Sequence, residues 1–146
     1  MPSFPLFNWF RTSGASTGCR TGLSTRASLD EAVKDVADQI GQRSGSADLA
    51  LVFVSTGYAS DFPRLMPMLR SRIKAKHWIG CAGGGVIGTR SDGTASEMEK
   101  SPALSVSLLK LPGVEIETRS LSTAQLPDLD GAAQNWQDWV GIPPRP

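Results

Sequence analysis

Histidine and cysteine are scarce in this sequence, and their scarcity excludes several kinds of site. The single histidine, His77, rules out any site that needs two imidazoles and leaves at most one histidine as a general base. The two cysteines, Cys19 and Cys81, cannot form a disulfide framework or a four-thiolate metal site. We expect neither a metal site nor a cofactor.

Long apolar runs and an excess of one charge are also missing. No stretch reaches the roughly 18 consecutive apolar residues that a membrane-spanning helix needs. The 15 basic and 14 acidic residues leave a net charge of +1, whereas dedicated nucleic-acid-binding proteins carry a marked basic excess. A chain of 146 residues that is 40% hydrophobic and 20% charged has the composition of one ordinary globular domain.

The beginning of the chain differs from the rest because it is basic and contains no acidic residue. Residues 1–27 hold Arg11, Arg20 and Arg26 among many Ser and Thr residues. Such a composition is found in flexible tails and also in organelle transit peptides. We interpret this part as a flexible N-terminal segment. An α/β domain is then predicted at 28–125, followed at 126–146 by a C-terminal helix and a Pro-rich end, a candidate truncation point.

Hydrophobic periodicity predicts the secondary structure of the remaining chain. Ser28 and Glu31 form a capping box, and apolar residues follow at helical spacing as far as Ile40. The run 49–54 is apolar without alternation, which predicts a strand buried on both faces. The other predicted elements are a helix at 61–73, strands at 77–81, 103–109 and 114–121, and a helix at 132–140.

The order of these elements predicts an α/β fold that has a mixed sheet with flanking helices. Helices and strands alternate in the first part, which favours parallel pairing of the strands. The last two predicted strands flank a turn at 111–113, which favours an antiparallel hairpin added to the same sheet.

The glycine-rich segment 83–88 is the most distinctive local pattern. Its sequence GGGVIG satisfies the G-x-G-x-x-G pattern, in which backbone amides approach a pyrophosphate. The context differs from that of a dinucleotide-binding fold, because a turn at 90–93 follows instead of an amphipathic helix. Two interpretations stay open for Gly83, Gly84 and Gly85. They permit tight packing or positive φ angles, or they line a small-ligand cleft at the end of a buried strand.

Polar residues follow the apolar run directly and occupy the place where α/β proteins hold ligands. Ser55, Thr56 and Tyr58 lie just beyond the carboxyl end of the predicted strand. They form either one side of a binding cleft or a plain strand-to-helix turn. No Gly-x-Ser-x-Gly elbow surrounds Ser55, which argues against a serine hydrolase.

Three further groups of residues have a functional and a structural interpretation each. His77 and Cys81 would lie about 13 Å apart on a strand, too far for a nucleophile–base pair, and free cysteines are mostly inert. Glu97 and Glu99 form a solvated edge or contact a ligand amine. The basic residues of 64–76 form a solvated helix face; binding of nucleic acid is the minor alternative, since no aromatic platform accompanies them.

Several segments in order resemble the N-terminal domain of the FIST family, the F-box and intracellular signal transduction proteins. The resemblance covers about 20–125 and rests on GLSTRASL at 22–29, ALVFVS at 50–55, LMPMLR at 65–70, IGCAGGGVIG at 79–88, EME at 97–99 and PALSV at 102–106. It implies a sensory domain that binds small molecules such as amino acids and has no established catalytic residues. It also implies that this chain corresponds to a partial N domain.

We therefore predict a non-catalytic ligand-binding domain of signal transduction. Its hypothetical ligand-binding residues are Ser55, Thr56, Tyr58, Cys81, Gly83, Gly84, Gly85, Glu97 and Glu99. Expected partners are a small molecule such as an amino acid and a C-terminal FIST domain or a signalling protein, but neither nucleic acid nor membrane. The expected location is the cytoplasm, or a plastid if residues 1–27 are a transit peptide. The alternatives are an enzyme of unknown reaction and an interaction module that docks through Trp136 and Trp139.

Overall fold

The computed structural model describes residues 17–41 and 46–141. The chain divides into two compact units, Met1–Ile116 and Glu117–Pro146. The first unit contains β1 (Gly18–Ser24), α1 (Leu29–Ile40), β2 (Ala47–Ser55), α2 (Phe62–Arg72), β3 (Ala75–Gly83), β4 (Gly85–Thr89), β5 (Ala95–Glu99) and β6 (Leu104–Lys110). The second unit contains a short 3-10 helix, Thr123–Gln125, and α3 (Ala133–Val140). None of the described helices is both long and apolar enough to cross a bilayer.

A four-stranded mixed sheet forms the centre of the first unit. Its strand order is β1-β6-β2-β3, in which β2 and β3 run parallel and the other neighbours run antiparallel. The remaining strands, β4 and β5, form a separate antiparallel hairpin. The predicted α/β class with a mixed sheet and flanking helices is confirmed.

The first helix forms where the capping box predicts it. The Ser28 hydroxyl accepts a hydrogen bond from the amide of Glu31 at 3.3 Å, which satisfies one of the free amides of the first turn. The apolar face that includes Val33 and Val36 is fully buried against the sheet. The second helix also agrees with its prediction, since Pro63 lies in its first turn, and the helix continues through Pro67.

Three strand predictions are wrong. Residues 18–24, part of the predicted flexible segment, form β1, which pairs with β6 along its whole length; residues 1–16 lie outside the described residues. Residues 114–121 form no strand, because β6 already has β1 on one side and β2 on the other and offers no free edge. The central strand β2 is not buried on both faces, since Phe53 remains 39% exposed.

The two faces of the sheet are covered differently. Helices α1 and α2 pack on one face and bury the residues of β2 and β6 that point toward them, among them Val52 and Val106. On the other face the β4–β5 hairpin covers one end, where Val86 packs with Leu23. Ile79, on the edge strand β3, is 54% exposed.

A buried carboxylate joins three strands of the sheet at the end opposite the hairpin. Asp48 Oδ1 lies 2.8 Å from Lys76 Nζ and 3.2 Å from Lys110 Nζ, and Asp48 Oδ2 accepts from the amide of Leu111 at 2.8 Å. The hydrogen bonds from Lys76 and from the Leu111 amide hold the pKa of Asp48 well below its ordinary value of 3.8. This ionised side chain therefore stabilises the folded state.

The low pKa predicts how stability depends on pH. Because folding lowers this pKa, the stabilisation by Asp48 is complete above the unfolded pKa near 3.8 and is lost as the pH falls toward the folded value. Urea unfolding should show Asp48→Asn to be clearly less stable than the wild type at pH 6, with a difference that shrinks below pH 4. Asp38→Asn, on the exposed side of α1, should show no such trend. An unchanged Asp48→Asn difference between pH 6 and pH 2.5 would contradict the assignment.

Candidate ligand groove

The parallel pairing of β2 and β3 brings two of the predicted ligand-binding segments together. Ser55 is the register partner of Gly83, so the carboxyl ends of both strands meet at one edge of the sheet. Glu99 of β5 pairs with Gly85 of β4, so the open end of the β4–β5 hairpin lies next to the glycines that end β3. The structure thus juxtaposes the strand ends that the sequence predicts to be functional.

Two of the predicted side chains at this edge already have partners within the fold. The buried Ser55 hydroxyl accepts from the amide of Ala103 at 2.8 Å, and the Ser55 amide donates to the Ala103 carbonyl at 2.8 Å. The Tyr58 hydroxyl, 2% exposed as a residue, donates to the carbonyl oxygen of Arg26. Burial, together with the nearby carboxylate of Asp35, raises the pKa of Tyr58. These two hydroxyls fasten the strand end to neighbouring segments, while Thr56 is exposed.

The three glycines where β3 passes into β4 have little steric need to be glycine. A Cβ atom at Gly84 would meet nothing within 4 Å, and one at Gly85 would have only ordinary contacts, the nearest at 3.5 Å. At Gly83 a Cβ atom would lie 3.2 Å from the carbonyl oxygen of Gly85. None of the three has a positive φ angle. Packing within the described residues therefore explains Gly83 in part and leaves Gly84 and Gly85 unexplained.

The predicted carboxylates lie on the outer side of the hairpin. Glu97 and Glu99 are exposed and share one side of β5, because successive side chains of a strand alternate. Met98, on the opposite side of β5, packs with the cluster that contains Leu23 and Val86. In the described part of the chain, neither glutamate takes part in an ion pair.

His77 and Cys81 lie on β3 and share the face of the sheet away from the helices. Their register partners are Leu49 and Phe53, and the exposed Cys81 is a free thiol. No described hydrogen bond joins the two side chains, which agrees with the spacing expected for a strand.

A groove between α2 and the edge strand β3 is the cavity that sequence reasoning missed. It has a volume of about 370 Å³, within the range of ligand clefts, roughly 300–1,000 Å³. Its floor comes from β2 and β3 and its wall from α2. The lining residues are mostly apolar: Val52, Val54, Phe62, Leu65, Met66, Arg70, Trp78, Ile79, Gly80, Cys81 and Ala82.

The helix α2 opens this groove through the way it packs. Leu65 and Leu69 are buried and anchor the helix to the core, whereas Phe62 and Met66, on its neighbouring side, are only partly buried. The edge strand contributes small residues there, because Gly80 and Ala82 point to the same face as Val52 and Val54, their partners on β2. A partly buried apolar wall above a floor of small residues leaves the space that forms the groove.

Arg70 is the only charged residue among the described residues that line the groove. Its guanidinium carbon lies 5.9 Å from the centre of the Trp78 ring, at a distance typical of a cation–π contact. The indole nitrogen of Trp78 donates to the carbonyl of Ala75 at 3.2 Å, which fixes the ring. A second hollow, of about 330 Å³, shares Arg70 and Trp78 with the groove and is also lined by Lys74 and Lys76. The groove therefore has a basic end.

Of the nine predicted ligand-binding residues, only Cys81 lines this groove. Val54 and Ala82, which also line it, directly precede Ser55 and Gly83, so the groove runs up to the strand ends that the sequence identified. A signal for the groove exists in the sequence, since Arg70 and Trp78 stand close to apolar residues of α2 and β3. That signal is weak, because Arg70 and Trp78 belong to different elements and the sequence alone does not show how α2 packs against β3.

The second unit holds two tryptophans that contact each other. In α3 the rings of Trp136 and Trp139 lie 5.9 Å apart in an edge-to-face arrangement, and both residues are partly buried. Their role as a docking patch stays a prediction.

Comparison with protein-family models identifies the family of this chain, which the geometry alone does not. The model of the FIST N domain matches residues 48–139, more than half of the chain. The chain belongs to the FIST N domain family. No curated protein and no solved structure matches it significantly. FIST domains are associated with sensory roles in signal transduction. The matched region of this FIST N domain contains α2, β3 and β2 from its second residue onward, the three elements that form the groove.

Proposed function

We propose that this FIST N domain senses a small molecule that binds in the groove between α2 and β3. The observation that carries the proposal is the groove itself, an apolar cleft of ligand size with one cationic end. Small-molecule sites are typically concave, mostly apolar and equipped with few polar groups that fix orientation. The groove has each of these properties, and it reaches the carboxyl ends of two parallel strands, where open α/β sheets hold their ligands.

Binding without catalysis fits the side chains of the groove. Apart from Arg70, the only described lining residue with a reactive side chain is Cys81, whose register with Phe53 directs it to the other face of the sheet. His77 points to that face as well, so it does not serve as a base in the groove. A nucleophile–base pair would have to converge on the ligand, and the described lining residues offer none.

The exposed polar groups at the strand ends complete the proposed site. Thr56 and the backbone of Gly83–Gly85 follow the last lining residues of β2 and β3, and Gly84 and Gly85 leave their backbone open to a ligand. Amino acids with apolar side chains are the first ligands to test, since an aliphatic side chain matches the lining and an α-carboxylate matches Arg70.

Isothermal titration with leucine, methionine and phenylalanine tests this function directly. We expect saturable heat with at least one of them on the wild-type protein, and its loss in Ala82→Phe, which fills the groove from its floor. Ala95→Phe, a matched change at an exposed position of β5, should bind as the wild type does. Circular dichroism verifies that both variants are folded. Equal binding by Ala82→Phe and the wild type would place the ligand elsewhere and contradict the proposal.

A further inference from the structure

The arginines of α2 differ in whether a carboxylate of the protein already engages them. Arg64 lies 3.0 Å from Asp61 and 3.0 Å from Asp30, and these acids raise its pKa. Arg70, two turns later, contacts the Trp78 ring, and none of the ion pairs of the described residues includes it. Its planar guanidinium can therefore offer two parallel donors to a carboxylate ligand.

The surroundings of Arg70 add positive charge and no negative charge to the groove. Lys74 and Lys76 line the hollow that adjoins its basic end. Lys76 is engaged by Asp48 at 2.8 Å, while Lys74 is exposed. None of the described residues that line the groove or the hollow is acidic. An anionic ligand group at this end would meet favourable potential, and a cationic group would meet repulsion.

Among the described residues, no carboxylate that could pair with a ligand ammonium group lines the groove, and the reason is topological. The helices and the groove lie on one face of the sheet, whereas the β4–β5 hairpin lies on the other. This follows from Gly88, where a Cβ atom would lie 2.7 Å from Ser105 Oγ and 3.1 Å from Leu23 Cβ, on the face opposite Val52. Glu97 and Glu99, on the outer side of that hairpin, thus stand away from the groove.

From these observations we infer that the groove selects an apolar monocarboxylate that lacks an amino group, such as a medium-chain fatty acid. The inference rests on the proposed function and names the ligand class of that same groove. The alkyl chain lies along Val52, Met66 and Gly80, and the carboxylate pairs with Arg70. An α-ammonium group next to the ligand carboxylate weakens binding, because it loses water without gaining a carboxylate partner and lies close to the Arg70 cation.

Three ligands with the same chain test the inference on the full chain. Octanoate has the carboxylate alone, 2-aminooctanoate adds the ammonium group, and 1-octanol replaces the carboxylate with a hydroxyl. We expect octanoate to bind about tenfold more tightly than either of the others in isothermal titration. Quenching of tryptophan fluorescence that is absent in Trp78→Phe places the bound molecule in the groove.

Two charge-matched variants assign the effect to Arg70. Arg70→Gln should bind octanoate about as weakly as 1-octanol, and Lys34→Gln, which removes one exposed positive charge from α1, should retain the preference for octanoate. Equal binding of all three ligands would overturn the inference and leave the small-ligand function standing, as would tighter binding of 2-aminooctanoate. Equal losses in both variants would show a general charge effect and overturn it too. Absence of binding by all three ligands would overturn the inference, and it would overturn the proposed function as well if leucine, methionine and phenylalanine also gave no heat.

Discussion

Replacing Gly80 with alanine should destabilise the protein more than any other single methyl group added in this region. Gly80 lies in the middle of β3, and a Cβ atom there would lie 2.0 Å from the carbonyl oxygen of Val52 and 2.9 Å from its carbonyl carbon. Both are backbone atoms of β2, which cannot move aside because β6 holds its other edge. We expect the free energy of unfolding to fall by about 3 kcal/mol or more, at the upper end of overpacking effects.

Gly84→Ala is the matched control, since it adds the same methyl group four residues away to a position with nothing within 4 Å. Its free energy of unfolding should stay within about 0.5 kcal/mol of the wild type, as is usual for surface changes. Urea unfolding of both variants gives the comparison. Similar stabilities for Gly80→Ala and Gly84→Ala would show that β2 and β3 do not approach each other as closely as described. A folded Gly84→Ala that binds ligand more weakly would in addition support a ligand contact with the Gly83–Gly85 backbone.

The parts of the fold that local sequence determines could be predicted well. The first helix follows from interactions within a few residues, the Ser28 cap and the apolar spacing that ends at Ile40. The strands β2 and β3 follow from short apolar runs, and the turn at 90–93 from its Asp and Gly. Each of these signals acts over less than about four helical turns, so no knowledge of tertiary neighbours is needed.

The wrong strand predictions concern how strands pair, and local sequence does not show which strands pair with each other. β1 has few apolar residues, and it becomes a strand because its backbone pairs with β6, more than 80 residues later. Apolar and acidic residues alternate at 114–117 in the manner of a strand, but both edges of β6 are occupied, so β6 cannot pair with this segment as the predicted hairpin requires. The strand propensity of 114–121 thus predicted the wrong neighbour for β6. The tertiary structure determines that β1 and β2 are its neighbours.

The candidate site, too, could be predicted only in part from the sequence. The position of the strand ends could be predicted, since parallel strands deliver their carboxyl ends to one edge. Whether the side chains there are free to bind a ligand could not be predicted. Ser55 has its hydrogen-bond partner at Ala103 and Tyr58 at Arg26, both distant in sequence. The groove depends on how α2 crosses the edge strand. The sequence alone therefore predicts Arg70 to be one basic residue of a solvated helix face. Its contact with the Trp78 ring is seen only in the structure.

The anchoring of α2 leads to the second large expected effect, that of Leu69→Ala. Leu69 is 0% exposed and, with Leu65, holds the helix against the core, so its truncation leaves a cavity that the packed neighbours cannot fill. We expect a loss of about 2–5 kcal/mol in the free energy of unfolding, the range of buried leucine truncations.

Ile79→Ala is the appropriate comparison because it shortens another aliphatic side chain, one that is 54% exposed on the edge strand. Its loss should stay below about 1 kcal/mol, since much of the side chain remains in water in the folded state. Urea unfolding at neutral pH measures both. The contrast also bears on the groove, because Leu69 adjoins Arg70 on the same helix. If Leu69→Ala stays folded but loosens α2, octanoate binding should weaken, although Leu69 does not line the groove. Equal losses of stability in the two variants would mean that Leu69 is not the buried anchor of α2, and the wall of the groove would need another support.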